Sequence, residues 1–399
     1  MSGRSGSSDG WPGGIGVFTG CGLFNGSGTC GTSGIGGCSI ISAASANQDP
    51  RNRSLSKMYR ASDRMLKRVF HTWERRLASA AENRTVRPFE WGTEWIPDLG
   101  SHGSEASRLL DWSARALRGS DSFFAVDDNT TYHLDGDRLT FISAVVTPHA
   151  DNNRVTARYF PDKSAAGRRR AVLVLPQWNA DAGGHLGLCR LMNRFGISAL
   201  RLSLPYHDVR MPPELERADY IVSANVVRTL QSCRQAVLDA RRAVDWLSAQ
   251  GFERIGILGT SLGSCLSLLT TAHEPRIRAA ALNHVSPWFA DVVWRGLSTR
   301  HVRASLDGHV DLDRLRRIWM PISPMAYLEA MHHARSLLVY ARYDLTFPVD
   351  LSRHLLSRFA AHGLPHETFA LPCGHYSTGM APFKFVDAYV LIRFLRRHL

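Results

Sequence analysis

The chain has 399 residues, 44% of them hydrophobic, which is enough for a large buried core. Its formal net charge is +13, but the basic residues are scattered and are not interleaved with aromatic residues, so the charge does not predict a nucleic-acid-binding surface. No apolar run approaches the ~18 residues that a transmembrane helix needs. We therefore expect no specific nucleic-acid partner and no transmembrane segment. Nucleic-acid binding through the positive charge is the alternative.

The beginning of the chain is rich in glycine and serine. We predict that residues 1–50 form a disordered tail. Cys21, in the stretch FTGC, would be the lipidated residue of a lipoprotein signal, but no apolar segment of the required kind precedes it, so export is only the alternative. Met58, which opens MYRASDRMLKRVF, is an alternative start for the folded protein.

Residues 51–130 are predicted to form a helical lead-in segment. A basic helical pattern covers 56–81 and carries apolar residues near one face. The aromatic stretch 87–97 is expected to pack on the main domain. A second helix is predicted over 104–118.

Residues 131–399 alternate strand-like and helical segments, as an α/β domain requires. YHLDGDRLTFISAVV predicts a hairpin with an Asp-Gly turn. Apolar runs predict further strands at 155–160, 171–176, 197–205, 255–259, 279–285, 337–341 and 367–372. Between the third and fourth of these runs, an apolar stripe from Val226 to Leu247 predicts a long helix with Gly251 as its C-cap. The fold class is therefore α/β, with a doubly wound, mostly parallel, eight-stranded sheet.

One segment interrupts this alternation. Residues 286–330 contain helical patterns and no strand-like run, and they fall between two predicted strands. We predict that they form a helical lid over the strand ends. The tryptophans of this segment, Trp288, Trp294 and Trp319, favour an apolar substrate group in the pocket, although packing is the more common use of tryptophan.

The seven cysteines are widely spaced and include no CxxC pair. This pattern argues against a zinc ribbon or a dithiol redox site. An odd number of cysteines with wide spacing is typical of reduced thiols inside the cell. We predict a cytoplasmic protein with no metal and no cofactor.

The stretch RIGILGTSLGS places a serine between two glycines directly after an apolar strand. Gly259 and Gly263 are small, as a backbone folded tightly around Ser261 requires, and the residues that follow can form a helix. This is the G-x-S-x-G pattern in its strand–turn–helix context. We predict that Ser261 is a nucleophile. A flexible turn that contains a serine is the alternative.

A serine nucleophile needs an imidazole base, and the imidazole needs an orienting carboxylate. Asp344 and His375 each follow a later predicted strand, in the chain order serine, acid, histidine. We predict that His375 is the base and Asp344 the orienting acid. The alternatives are a cap or turn role for Asp344, with Asp350 as the nearest substitute acid, and a surface position for His375.

An oxyanion hole needs two backbone N–H donors. The residue after the nucleophile, Leu262, is the first candidate. The second is expected from the loop after the strand at 171–176, where Trp178 and Gln177 are equally good candidates and a structural role for the tryptophan is the alternative.

Three residues are candidates for substrate binding: Tyr206, Trp288 and Trp294. The cluster Tyr206-His207-Asp208 either lines the pocket or caps the loop before the long helix. His207 is kept outside the triad.

The motifs GTSLG, RYDLTFP and CGHYS, in this order, resemble those of the α/β-hydrolase superfamily of serine hydrolases, over residues 87–399. The resemblance implies the α/β-hydrolase fold, triad roles for Ser261, Asp344 and His375, and ester hydrolysis through an acyl-enzyme. LPYHDVRMPPE and DVVWRGLS are also similar to a little-studied branch of abhydrolase-domain proteins, which implies no substrate. The chain departs from many members of the superfamily because its oxyanion loop lacks their His-Gly pair.

The leading hypothesis is a carboxylic-ester hydrolase that acts on a small-molecule or lipid ester. A peptidase and an acyltransferase are alternatives on the same fold. A binding protein built on an inactive hydrolase fold is the alternative from another class, and the presence of all three triad residues argues against it. The sequence does not predict the oligomeric state.

Overall fold

A computed structural model describes residues 50–80, 83–127, 129–162 and 169–399, with side chains from residue 62 onward. The predicted tail over residues 1–50, including Cys21, lies outside the described residues apart from Pro50. Lys57–Leu399 form one compact unit. Of the other unit, Met1–Ser56, only the start of the first helix is described.

Helices and strands alternate along most of the chain. The α-helices are α1 Pro50–Ser79, α2 Glu105–Arg118, α3 Ser120–Phe123, α4 Leu186–Arg194, α5 Val226–Ala249, α6 Leu262–His273, α7 Phe289–Arg295, α8 Arg300–Leu306, α9 Leu312–Ile318, α10 Val349–Ala361 and α11 Phe383–His398. The strands are β1 His133–Asp135, β2 Arg138–Ile142, β3 Arg154–Phe160, β4 Arg170–Leu175, β5 Ser198–Leu202, β6 Arg254–Thr260, β7 Ile277–Asn283, β8 Arg335–Ala341 and β9 His366–Leu371. Short 3-10 helices lie at Thr93–Trp95, Ala150–Asn153, Asp208–Arg210, Met320–Ile322, Pro324–His333 and Ser377–Gly379.

The strands form one sheet in the order β1-β2-β3-β5-β4-β6-β7-β8-β9. β5, β4, β6, β7, β8 and β9 run parallel, whereas β1, β2 and β3 pair antiparallel at one edge. The prediction of a mostly parallel α/β sheet is confirmed, but the predicted count of eight strands is wrong, since the described residues form a sheet of nine strands. Both arms of the predicted hairpin join the sheet, because Gly136, at φ 59°, allows a turn so tight that Asp135 pairs with Arg138.

Successive residues of the central strands point to opposite faces of the sheet, and both faces are covered. In β4, Leu173 and Leu175 belong to the core that α5 and α6 also line. Val172 and Val174 belong to the second core, which contains residues of α4 and α11. This coverage explains why the parallel strands are continuously apolar, and it confirms the doubly wound arrangement.

The helical predictions agree with the structure, with small differences at the ends. The first helix begins at Pro50 rather than at residue 56, and α5 has Gln250 as its C-cap, with Gly251 next to it at φ 82°. Residues 286–330, all of which are described, hold helices and no strand. Of the helices that the structure describes, none combines the length and apolar character needed to cross a membrane.

A fully buried ion pair ties the loop after β5 to α5. Arg210 donates to Asp239 Oδ2 at 2.8 Å, and both side chains are 0% exposed. The other donors of Arg210 reach the carbonyl oxygens of Asn152 and Ser203 at 2.8–3.1 Å. Because every charged atom of the pair has a partner, the pair fixes the loop position, whereas loss of one partner would leave an uncompensated buried charge.

The substitution Arg210→Met tests this role. We expect it to lower the free energy of unfolding by about 3–5 kcal/mol, since Asp239 would remain buried without its cation. The measurement is urea unfolding followed by circular dichroism. Arg397→Met, which removes an exposed pair with Glu367, is the matched control and should change the free energy of unfolding by less than about 1 kcal/mol. Equal effects of the two substitutions would contradict the structural role given to the buried pair.

Candidate active site

The predicted site residues follow the carboxyl ends of neighbouring parallel strands. Ser261 comes directly after β6, Asp344 lies just beyond β8, and His375 lies just beyond β9. Gln177 follows β4. Because the carboxyl ends of parallel strands meet at one edge of a sheet, the topology places these residues together although they are far apart in the chain.

Ser261 occupies the sharp bend between β6 and α6, with φ 56° and ψ −119°. A Cβ atom at Gly259 would lie 2.2 Å from the carbonyl oxygen of Gly263. A Cβ atom at Gly263 would lie 2.2 Å from the carbonyl oxygen of Leu175, at the end of β4. Both glycines are therefore required for the close approach of α6 to β6 and β4, and the structure has the strand–turn–helix arrangement that the sequence predicts.

The structure brings the three predicted triad residues into one hydrogen-bonded chain. Nε2 of His375 lies 3.0 Å from Oγ of Ser261, and Nδ1 lies 2.8 Å from Oδ2 of Asp344. An ionised carboxylate only accepts hydrogen bonds, so Nδ1 donates to Asp344 and Nε2 of a neutral ring is left to accept from the serine hydroxyl. Asp350, the predicted substitute acid, is exposed and pairs with Arg295 at 2.8 Å.

Asp344 also forms the turn that the alternative interpretation proposed. Its Oδ1 accepts the backbone N–H groups of Thr346 and Phe347, both at 2.7 Å. These bonds fix the carboxylate so that Oδ2 faces the histidine. The turn role and the place beside His375 are therefore two parts of one arrangement.

A second histidine contacts Asp344, and the sequence analysis missed it. His284 follows β7 directly and has φ 57°. Its Nδ1 lies 3.1 Å from Oδ2 of Asp344, the oxygen that His375 also contacts. The signal was present in the sequence, because AAALNHV puts a histidine at the end of a buried strand, as the CGHYS motif does.

Helix α1 contributes a buried carboxylate beside the histidine loop, which the sequence analysis also missed. Glu74 is 0% exposed and accepts the backbone N–H groups of Tyr376 and Ser377 at 2.8 and 2.9 Å. A Cβ atom at Gly374 would lie 2.3 Å from the Glu74 carboxyl carbon, so the glycine allows this contact. The Phe70 ring stacks on Tyr343 at 4.8 Å, directly before Asp344.

These carboxylates set the protonation of the site. Burial lowers the pKa of His375, but the charge and hydrogen bond of Asp344, together with the charge of Glu74, outweigh burial and raise that pKa above 6.5. Burial opposes ionisation of Asp344, but His375 and the hydrogen bond from His284 hold its pKa well below its usual range. Burial lowers the pKa of His284 below 6.5, so the pKa values of the two histidines shift in opposite directions.

His284, Asp344 and His375 are also the one group of acidic, histidine or cysteine residues, within the described part of the chain, whose ligand atoms lie close enough to hold a metal ion. Both Nδ1 atoms, however, already hydrogen-bond to the same oxygen at 2.8 and 3.1 Å. A zinc ligand set would instead point three separate donors at a common centre about 2.0–2.2 Å away. The geometry fits a hydrogen-bonded carboxylate better than a metal site.

The candidate oxyanion donors lie around Ser261. Trp178 and Gln177 line the same cleft as the Ser261 side chain, and Leu262 is the first residue of α6. Across the described ranges, no hydrogen-bond acceptor is found for the backbone N–H groups of these three residues. Three backbone donors thus lie unused beside the serine, as an oxyanion hole requires.

The loop that carries Gln177 and Trp178 lacks the His-Gly pair found in many α/β-hydrolases. Hydrogen bonds to His207 and Ala218 hold it in place instead. Asn179, at φ 59°, donates its N–H to Nε2 of His207 at 3.0 Å. Its Oδ1 accepts the N–H of Ala218 at 2.8 Å. The Trp178 indole donates to the carbonyl oxygen of Ala218 at 2.8 Å, so the side chain of this tryptophan is structural. Burial lowers the pKa of His207 to about 4, which keeps its ring neutral and able to accept.

Two cavities meet at Ser261. The small cavity has a volume of about 40 Å³ and lies between Ser261, α6 and α7, with Val292, Val293 and Phe347 in its wall. The large cleft has a volume of about 540 Å³ and opens on the side of His375. The insertion 286–330 thus borders the small cavity through α7.

The three candidate substrate-binding residues line neither cavity, so the structure does not bring them together with Ser261. Tyr206 is 0% exposed, and its hydroxyl lies 3.3 Å from Nδ1 of His149. Trp288 packs against the cluster formed by Cys265, Val292, Phe347 and Leu351. Trp294 packs on the core with Arg303 over its ring at 5.1 Å. All three serve packing, because large aromatic surface stabilises a protein most when it is buried against other side chains.

No family model and no curated protein matches the chain. Solved structures do match. The acylaminoacyl peptidase of Pyrococcus horikoshii aligns with a TM-score of 0.53 at 13% identity, over 68% of this chain and 42% of the peptidase. The chain thus corresponds to less than half of that enzyme's length.

Two acetyl xylan esterases align over nearly their full length. The enzyme of Paenibacillus sp. R4 has a TM-score of 0.53 at 15% identity, over 78% of this chain and 100% of the esterase. Acetyl xylan esterase 1 of a Thermoanaerobacterium species has a TM-score of 0.51 at 14% identity, over 81% of this chain and 97% of the esterase. The chain has the α/β-hydrolase fold, as the sequence resemblance implies.

Proposed function

We propose that the protein is a serine hydrolase that cleaves carboxylic esters through an acyl-enzyme. The observation that carries the proposal is the hydrogen-bonded chain from Ser261 through His375 to Asp344, built on a strained strand–helix bend. A serine with a purely structural role would not need a strained backbone at positive φ. Nor would its hydroxyl group need to face an imidazole ring. Fold similarity to esterases and a peptidase agrees with this function.

The proposed reaction has two halves. Oγ of Ser261 attacks the ester carbonyl while Nε2 of His375 takes its proton, and Asp344 stabilises the imidazolium that forms. The N–H of Leu262, with that of Gln177 or Trp178, binds the oxyanion of the tetrahedral intermediate. His375 then gives its proton to the leaving alcohol. In the second half, water attacks the acyl carbonyl while His375 takes one of its protons, and His375 then returns this proton to Oγ of Ser261 as the carboxylic acid leaves.

We further propose that residues 286–330 act as the lid and that residues 131–399 carry the catalytic loops. The wall that α7 forms along the small cavity supports the first proposal. From Lys57 onward, the lead-in segment lies in the same compact unit as these loops, and its Glu74 contacts the histidine loop directly.

A peptidase is the second candidate, and similarity to the acylaminoacyl peptidase supports it. The same nucleophile and base would cleave an amide, but the leaving amine is harder to expel than an alcohol. Matched acetyl esters and acetyl anilides of p-nitrophenyl type separate the two, since an esterase cleaves only the ester at a useful rate.

The substitution Ser261→Ala tests the proposed function. We expect hydrolysis of p-nitrophenyl acetate to lose about a thousandfold or more in kcat, because no nucleophile remains. Release of p-nitrophenol measures the rate, and circular dichroism verifies the fold. Ser357→Ala, at an exposed serine on α10, is the matched control and should keep the wild-type rate. A folded Ser261→Ala variant with wild-type activity would contradict the mechanism.

The pH dependence tests the protonation argument. His375 must be neutral to accept the serine proton, so kcat/KM should rise with pH through an apparent pKa above 6.5. In Glu74→Gln a negative charge near the ring is lost, so this apparent pKa should fall, while Glu74→Asp should restore much of it. An apparent pKa that is unchanged or higher in Glu74→Gln would show that this carboxylate does not act on the base.

A further inference from the structure

The two cavities beside Ser261 differ in size and charge, and the difference indicates a substrate class. We propose that the substrate is the ester of a short acyl group with a polar alcohol that carries an anionic group. The inference rests on the proposed esterase function and adds to it the identity of both halves of the substrate.

The position of His375 determines which cavity takes the acyl group of the ester and which takes the alcohol. The general acid must protonate the leaving oxygen, so the alcohol lies on the side of the imidazole. His375 and Tyr376 line the large cleft and are absent from the lining of the small cavity. The acyl group therefore enters the small cavity, and the alcohol occupies the large cleft.

The small cavity limits the acyl group. Its volume of about 40 Å³ holds about three groups the size of a water molecule. Its wall is mostly apolar, with Leu262 and Phe347 4–5% exposed, and Ser298, Thr299 and Thr346 add hydroxyl groups to it. Acetyl to butyryl chains fit this space, whereas an octanoyl chain would require α7 to move.

The large cleft is positively charged. Arg84, Arg217 and Lys384 line it, and the structure gives Arg217 a carboxylate partner, Asp219 at 3.3 Å. For Arg84 and Lys384, no carboxylate lies within 4.0 Å among the described residues. Nη2 of Arg84 donates to the hydroxyl of Tyr376 at 2.8 Å, which holds the guanidinium next to the catalytic loop.

Polar atoms without a hydrogen-bond partner, on residues that line the large cleft, support a polar alcohol. Nε of Arg84, Oδ1 of Asn283 and Oδ1 of Asp387 are buried and have no partner in the described part of the chain. All three residues line the large cleft. Asp387 is the one carboxylate in the described lining, and burial raises its pKa to about 7, so near neutral pH it is only partly ionised and offsets only part of the positive charge. The polar lining favours an alcohol with hydroxyl groups, and Arg84 and Lys384 favour an anionic group on it.

The first part of the test measures acyl length. We expect kcat/KM to be similar for p-nitrophenyl acetate and butyrate and at least about tenfold lower for the octanoate, which does not fit the small cavity. An octanoate cleaved as fast as the acetate would overturn the acyl assignment. Failure to cleave any of the esters by a folded protein would instead overturn the proposed function.

The second part compares 3-acetoxybenzoate with its neutral amide, 3-acetoxybenzamide, after each rate is divided by its rate of hydroxide hydrolysis. We expect kcat/KM to be at least about fivefold higher for the anion, because complementary charge favours its binding. The preference should fall in 1 M salt and in the double variant Arg84→Gln, Lys384→Gln. The same assay with 4-acetoxyphenyl phosphate in place of 3-acetoxybenzoate shows whether the enzyme prefers a phosphate or a carboxylate.

The control removes the same two charges elsewhere. Lys67→Gln with Arg353→Gln changes exposed residues that line neither cavity, and it should keep the anion preference. No anion preference in the wild type, or a preference that survives the cleft variant, would overturn the charge assignment while leaving the esterase function intact.

Discussion

The site depends on one buried negative charge, the carboxylate of Asp344. A carboxylate away from water is costly unless both oxygens are hydrogen-bonded. Here one oxygen accepts two backbone N–H groups of its own loop, and the other accepts from two histidines that follow different strands. The same four bonds that make burial tolerable therefore join the ends of β7, β8 and β9. The position and basicity of His375 follow from this arrangement.

The helix before the sheet extends the same principle. Glu74 satisfies two backbone donors of the loop after His375 and places a second negative charge near the ring. Phe70 and Asp63 of the same helix contact Tyr343, the residue before Asp344. A helix that precedes the first strand of the sheet thus supports both the acid loop and the histidine loop, and Arg84, soon after it, lines the cleft. The lead-in segment is part of the site rather than an addition to it.

Much of this could be predicted from the sequence because local patterns encode it. Apolar runs predicted the strands, and Gly259 and Gly263 predicted the bend at Ser261, since a close backbone approach excludes any side chain. The order of strand ends selected Asp344 and His375. The predicted hairpin contains both β1 and β2, but the predicted total of eight strands left one strand out, and β1 is the strand with no apolar run, since its three residues are all exposed.

The remaining features depend on contacts that no local pattern encodes. In the sequence, nothing distinguishes Glu74 from the other charged residues of a basic helix. Only the tertiary fold places it against Gly374. Tyr206 and Trp294 were assigned to the pocket by residue type, but packing placed them elsewhere. His284 could have been found by the rule that selected His375, had every histidine at a strand end been considered. The two oxyanion candidates of the β4 loop are not separated, because both N–H groups are free.

The most direct test of the account is the site of covalent labelling. The folded protein is treated with a fluorophosphonate, digested, and analysed by mass spectrometry, beside Ser261→Ala and Asp344→Asn. The account predicts one adduct, on the peptide that contains Ser261, absent from the first variant and formed much more slowly in the second. A folded wild-type protein that is not labelled, or that is labelled on another serine, would contradict the claim that Asp344 and His375 activate Ser261.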